Sequence, residues 1–229
     1  MLYCYHKYLQ ERTAGNVYTE EVNSLSELSG TKELIFDTFV KMTSNVGYEN
    51  VSIRDIAREV PINPASMYYH FESKGKMLEY AYNYYAEHQY DNRRPLHVME
   101  KMIETASAQE IINAFTYTLT EDDPKKYLRM ILITKIIYMR LFQDPIANAL
   151  FDESNMNHTE YIISVLKHGI SVGRIDGNFD IESFAEVLIG SMQIMGIKSF
   201  ADIAYMVGQL EQEKRILALV TRLLGAALK

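Results

Sequence analysis

The chain has 229 residues, 48% of them hydrophobic, with a single cysteine and a formal net charge of −7. That length supports one or two domains with a sizeable core, and no apolar run reaches the ~18 residues that a membrane-spanning helix needs. Cys4 has no internal disulfide partner and no signal-peptide pattern opens the chain, so a cytoplasmic protein is expected; its acidity argues against indiscriminate nucleic-acid binding.

Residues 1–30 carry Tyr3, Tyr5, Tyr8 and Tyr18 with Glu20 and Glu21, and read as a loosely held extension, not a basic arm. From Thr31 to Val46 the apolar residues Ile35, Phe36, Phe39, Val40 and Met42 fall on one helical face, and Gly47 is placed to end the helix. The next stretch, Ser52 to Lys76, reads SIRDIAREVPINPASMYYHFESKGK. Ser52 and Asp55 have the spacing of a capping box, and Ile53, Ile56, Ala57 and Val60 recur at helical intervals. A second helix start follows almost at once, with Asn63 as N-cap and Pro64 at the first helical position. Two short helices joined so tightly cross steeply, the helix-turn-helix arrangement that sets a second helix in the DNA major groove.

Ser-Ile-Arg-Asp-Ile-Ala at 52–57, Pro-Ala-Ser-Met-Tyr-Tyr-His-Phe at 64–71 and Ser73-Lys74 resemble the signature of the TetR family of bacterial transcriptional regulators. The resemblance implies an all-α fold: a three-helix helix-turn-helix module over 31–78, then a larger helical ligand-binding and dimerisation domain over 79–229. It implies a homodimeric repressor that binds an inverted-repeat, double-stranded DNA operator and is released by a small-molecule effector. Carried over residue by residue, it places Arg54, Pro64, Ala65, Ser66, Tyr68, Tyr69, His70 and Lys74 at the DNA, with Arg54 and Ser66 at base edges and Tyr69, His70 and Lys74 at phosphates. Two departures stand out. Pro61 occupies a position where the family usually has Gly, and Phe39 and Thr43 exchange the family's usual small residue and Phe across one turn. Six basic residues between Thr31 and Lys76 are balanced by six acidic ones, so a module that keeps the fold and acts through protein partners instead of DNA is the competing reading.

Ser73-Lys74-Gly75-Lys76 opens a long helix whose first backbone N–H groups, with Lys74, are expected to form an anion site. After Asn92, Arg93, Arg94 and Pro95 the pattern is helical to the end. The run from Tyr127 to Phe142 is apolar nearly all round and is expected to be central, its Arg129, Lys135 and Arg140 needing partners wherever they are buried. Tyr85, His88, Tyr117, Thr134 and Tyr138 are candidate lining for a mostly apolar effector with a polar handle. The last two helices, about 181–199 and 209–227, carry apolar faces suited to a dimer interface, including Leu217 and Leu224. No histidine pair has metal-ligand spacing, Asp176–Asp180 lacks the Gly and Glu of a calcium loop, and no catalytic motif or cofactor-binding loop is present. Neither an enzyme, a metal site nor a cofactor is expected.

Overall fold

The computed structural model describes residues 30–60, 62–91, 93–116, 124–201 and 203–229; for 124, 195, 197–201 and 203–214 it describes the backbone alone. The extension over 1–29, the turn residue Pro61 and Tyr117 lie outside the described residues. The described residues fold into helices: α1 (Gly30–Val46), α2 (Ile53–Glu59), α3 (Pro64–His70), α4 (Lys74–His88), α5 (Leu96–Ile103), α6 (Ala108–Thr116), α7 (Pro124–Arg140), α8 (Pro145–Ser171), α9 (Ile181–Ala201) and α10 (Ile203–Ala227). None is long and apolar enough to cross a membrane. Among the described residues the fold is all-α, as the resemblance implied.

The helices divide into two compact units, one ending at His88 but also holding 125–151, the other of 89–124 and 152–229. The first unit thus takes in all of α4. Met77, Leu78, Ala81, Tyr82, Tyr84 and Tyr85 of α4 are all buried in the core of the first unit, which keeps that helix with the helix-turn-helix module along its whole length.

In the first unit Phe36 of α1 is the centre of an aromatic cluster. Its ring lies 4.8 Å from Tyr80, edge-on, and 6.3 Å from both Phe71 and Tyr84. Around it Ile35, Phe39, Ile56, Met67 and Met77 are completely buried. Truncating such a side chain to Ala costs roughly 3–5 kcal/mol, since the cavity left behind closes only in part. Gly47 ends α1 with φ +87°, and its N–H bonds to Thr43 O at 2.9 Å; a side chain in that conformation would be strained. The expected exchange of bulk has Phe39 and Thr43 in one core, but the Thr43 hydroxyl is buried there without a hydrogen-bond partner among the described residues.

One expectation fails here. Helix α7 buries only one face, through Ile133, Ile136 and Ile137, while Tyr127, Leu128 and Met139 are exposed and Phe142 beyond it is 98% exposed. An apolar surround therefore does not make the helix central: the first unit has one layer to offer it.

The second unit packs α5, α6, α9, α10 and residues 152–171 of α8 around Met99, Ile103, Ile111, Ile112, Val165, Leu166, Leu188 and Leu224. A capping box, Ser107 with Glu110, starts α6, and Asp180 accepts from Ser183 N at 3.0 Å to start α9. The 176–180 segment is a plain helix connection, as its sequence suggested. It also fastens the end of the chain, because Asp176 N donates to Ala227 O and Lys229 N to Arg174 O, both at 2.9 Å. On α9 and α10, Val187, Ile194, Leu219 and Leu223 are exposed, whereas Leu224 is completely buried in the unit's own core and Leu217 packs against it.

Candidate nucleic-acid interface

Local chemistry fixes both helices of the turn. Ser52 Oγ accepts from Asp55 N at 3.2 Å while Asp55 Oδ2 accepts from Ser52 N at 3.1 Å, completing the capping box. The hydrogen bonds from Ser52 hold the Asp55 carboxyl below the usual carboxylate range. Asn63 Oδ1 accepts from Ala65 N at 2.9 Å, and Pro64, which has no N–H to satisfy, takes the first helical position. Between them Val60 is completely buried and Ile62 packs against the core, so the turn is anchored from below.

Helix α3 is then divided cleanly in two. Met67 is fully buried and Phe71, just past its end, almost so. Everything else faces out: Pro64, Ala65 and Ser66 are exposed, Tyr68 is 56% exposed and Tyr69 89%. A tyrosine left this exposed forgoes the burial of its ring, worth roughly 1.5–3 kcal/mol for a large apolar side chain, and it forms no part of the core. His70 is half-buried with its ring edge-on to Tyr69 at 5.4 Å. On α2, Arg54 and Arg58 are exposed, with Arg58 Nη1 3.1 Å from Asp55.

Lys74 departs from expectation. Its Nζ donates to Tyr48 O and Val51 O, each at 2.9 Å, and stands 4.0 Å from the centre of the Tyr48 ring. The ammonium is thus turned into the module, tying the start of α4 to the turn between α1 and α2. The expected anion site at that helix start is also partly filled from within, since Ser73 Oγ accepts from Lys76 N at 3.1 Å.

Two charged networks bind α7 to the module, and of their members sequence reasoning identified only Arg129 and Arg140. Arg129, its side chain 5% exposed, donates from Nε to Asp37 at 2.7 Å and from Nη2 to Glu33 at 2.8 Å. Lys125 adds contacts to both carboxylates at 2.9 and 3.2 Å. Burial alone would lower the pKa of Arg129, but Asp37 and Glu33 outweigh it and raise it. Arg140 reaches Glu49, Asp144 and the Tyr82 hydroxyl oxygen, each at 3.2 Å, while that hydroxyl donates to Asp144 at 2.9 Å. Asp37 and Glu33 lie 92 and 96 residues upstream of Arg129, and Glu49 lies 91 upstream of Arg140, separations that no local pattern reveals.

Residues 35–81 match the family of bacterial regulatory proteins described as the tetR family. The family match is confined to these residues. The matched stretch runs from the α1 core to the middle of α4, the same residues that build the exposed face of α3. The Staphylococcus aureus biofilm operon icaADBC negative transcriptional regulator IcaR is 42% identical over 48 residues, 21% of this chain and 26% of the relative. The chain thus aligns with about a quarter of the length of that curated relative. Among solved structures, Salmonella enterica GusR superposes over 87% of this chain and 98% of its own, with a TM-score of 0.56 at 17% identity. A transcriptional regulator of Saccharomonospora viridis in complex with choline covers 84% of this chain and 92% of its own, with a TM-score of 0.55 at 19% identity. At those identities the likeness is one of fold.

The expected effector residues lie in the first unit, apart from Tyr117, which is outside the described residues. Tyr85 is buried in the first core, His88 lies with its ring 4.4 Å from that of Tyr84, the Thr134 hydroxyl donates to Met130 O at 2.8 Å, and Tyr138 packs edge-on against Phe151 at 5.2 Å. A cavity of about 70 Å³ lies instead in the second unit, lined by Gln89, Arg93, Arg94, Ala114, Phe115, His158, Tyr161, Ile162, Ile189 and Met192. Burial, and to a lesser extent Arg93, lower the pKa of His158 against the opposing effect of its Nδ1 hydrogen bond to Ser154 O at 2.8 Å.

Proposed function

We propose that this chain is a homodimeric transcriptional repressor that reads an inverted-repeat operator through α2 and α3 and is released by a small effector held in its second unit. The outward face of α3 carries the proposal. Five of its seven residues are exposed around a single buried anchor, Met67, an arrangement that serves contact with a partner and not core packing. Arg54 and Ser66 are assigned to base edges, with Pro64 and Ala65 admitting close approach of the helix start. Tyr68, Tyr69 and His70 hold the sugar-phosphate backbone and fix register. Lys74 is assigned a positioning role, because its ammonium is used inside the module.

Exposed Val187, Ile194, Leu219 and Leu223 support a self-association surface on α9 and α10. A two-fold dimer would present two α3 helices to half-sites about 34 Å apart, one turn of duplex. Repression follows the negative regulation named for IcaR, and the second-unit cavity supports the effector. Fluorescence anisotropy across a library of inverted-repeat duplexes tests the reading. Tyr69→Ala should weaken all duplexes about equally, and Arg54→Ala should relax preference at particular base pairs by roughly 1–3 kcal/mol. Absence of any sequence preference at low salt would favour a helix-turn-helix protein acting through protein partners.

A further inference from the structure

We propose that the second-unit cavity takes an apolar carboxylic acid, its carboxylate against Arg93 and its hydrocarbon part among Phe115, Ile162, Ile189 and Met192. The proposal rests on the effector reading above and narrows it to a chemical class. Two hollows share Arg93, Arg94 and Tyr161 as a common wall. One is the apolar cavity; the other is wider and more polar, with Asn157, Glu160 and Ser164 in its lining. A molecule occupying both would place an apolar body on one side of the arginines and expose a polar head to the other.

The state of Arg93 sets the sign of that head. Its guanidinium lies 4.7 Å from the ring centre of Tyr90 and 4.3 Å from that of Tyr161, with no carboxylate in ion-pair distance among the described residues. Ring stacking uses the faces of the guanidinium and leaves the N–H groups in its plane available, the geometry that grips a carboxylate through two parallel hydrogen bonds. Those same ring faces would be needed to cage an alkylammonium, and the protein's own cation already covers them. Glu160 is the one acidic residue lining either hollow, and it makes no ion pair with Arg93; Arg94, whose Nη1 donates to Ala114 O at 2.8 Å, is already engaged and takes no part in holding the ligand. His158, neutral, adds no charge.

A further polar group lacks a partner. Gln89 lines the apolar cavity with its Oε1 sealed from solvent, and its side chain makes no hydrogen bond among the described residues. An amide so placed has an unmet demand that a ligand entering the cavity can satisfy, since it can present either its oxygen or its N–H groups. Neither a plain hydrocarbon nor an amine satisfies Arg93 and Gln89 together.

The test is calorimetric titration of the full chain with butanoate, hexanoate, octanoate, benzoate and phenylacetate, each beside its primary amide, with hexylammonium as the opposite charge. At least one acid should bind, roughly 10-fold or more tightly than its amide, and Arg93→Gln should abolish the difference between the two. Ile189→Trp, which fills the apolar part, should abolish binding of acid and amide alike. Equal affinities for acid and amide, preference for hexylammonium, an acid preference that survives Arg93→Gln, or no binding by any acid would overturn the proposal. Operator anisotropy separates this from the parent reading. An acid that binds through Arg93 without changing DNA affinity keeps the site and removes the effector role, whereas an amide or amine that binds and releases operator keeps the effector role and removes the acid.

Discussion

Replacing Arg129 by Met should loosen the union of α7 with the helix-turn-helix module, and the structure allows the loss to be sized. Two charge-assisted hydrogen bonds disappear, to Asp37 at 2.7 Å and Glu33 at 2.8 Å, each contributing about 1.5–3 kcal/mol. Opposing that, Met ends the desolvation of a guanidinium, and both carboxylates, about a quarter exposed, can rehydrate and keep Lys125. A net loss of about 2 kcal/mol remains, which for a chain of this length lowers Tm by about 4–8 °C. The effect should also depend on pH. The Glu33 carboxyl is held below its ordinary value, 4.5, by Lys125 first and Arg129 second. A depressed folded-state pKa contributes stability that is complete above the unfolded value and is lost as pH falls through the folded one. Scanning calorimetry should therefore show the gap between parent and Arg129→Met open near neutrality and narrowing below about pH 4.5. An unchanged Tm, or a gap constant across that window, would refute the view that this cluster joins α7 to α1.

Other substitutions probe the remaining assignments. Lys74→Met should cost about 1–3 kcal/mol in a urea melt as well as weaken DNA binding, because Tyr48 O and Val51 O lose their donor; a lysine serving phosphate alone would leave the melt unchanged. Leu219→Glu should yield a monomer with parent-like helicity by light scattering and circular dichroism, while Leu224→Glu should fail to fold, since only the second side chain lies inside the core. Thr43→Val removes a buried hydroxyl that has no partner and should stabilise by about 1 kcal/mol in the same urea melt.

Local rules carried far in this chain, and contacts distant in sequence did not. The Ser52–Asp55 capping box, the Asn63–Pro64 start and the Gly47 stop were all legible, because each is a backbone hydrogen bond satisfied within four residues. So were the helix periods of α9 and α10. Which side of a helix faces water is a different matter. Leu223 and Leu224 adjoin in the same apolar run, yet one is 44% exposed and the other completely buried, a distinction set by α6 and α9 and not by the run itself. The nature of Lys74 was likewise hidden: its carbonyl partners lie 23 and 26 residues upstream. Tyrosines and Thr134 were equally plausible as pocket or core by composition, and packing made four of the five candidates something other than lining of the second-unit cavity; Tyr117 lies outside the described residues.

The charge balance of the module finally constrains how it can hold DNA. Of its six basic side chains, the Lys74 ammonium is used internally, and that of Lys32 lies 5.5–5.6 Å from the rings of Phe71 and Tyr80. Arg58 and Lys76 pair with Asp55 and Glu79 three residues away, exposed contacts worth at most about 1 kcal/mol that a phosphate can replace. With Arg54, and with the exposed Lys41 standing on α1 and not on α2, α3 or the start of α4, that leaves about three cations per subunit on those elements to meet phosphate, hence about six per dimer, and a slope of log affinity against log salt near −5. Between 50 and 200 mM salt the affinity should then fall about a thousandfold. Such a chain, acidic overall, gains its preference from the exposed face of α3 more than from charge. Anisotropy titrations over that salt range decide the matter: a slope steeper than about −8 would require more cations than the module presents, and would place part of the DNA contact outside α2, α3 and the start of α4.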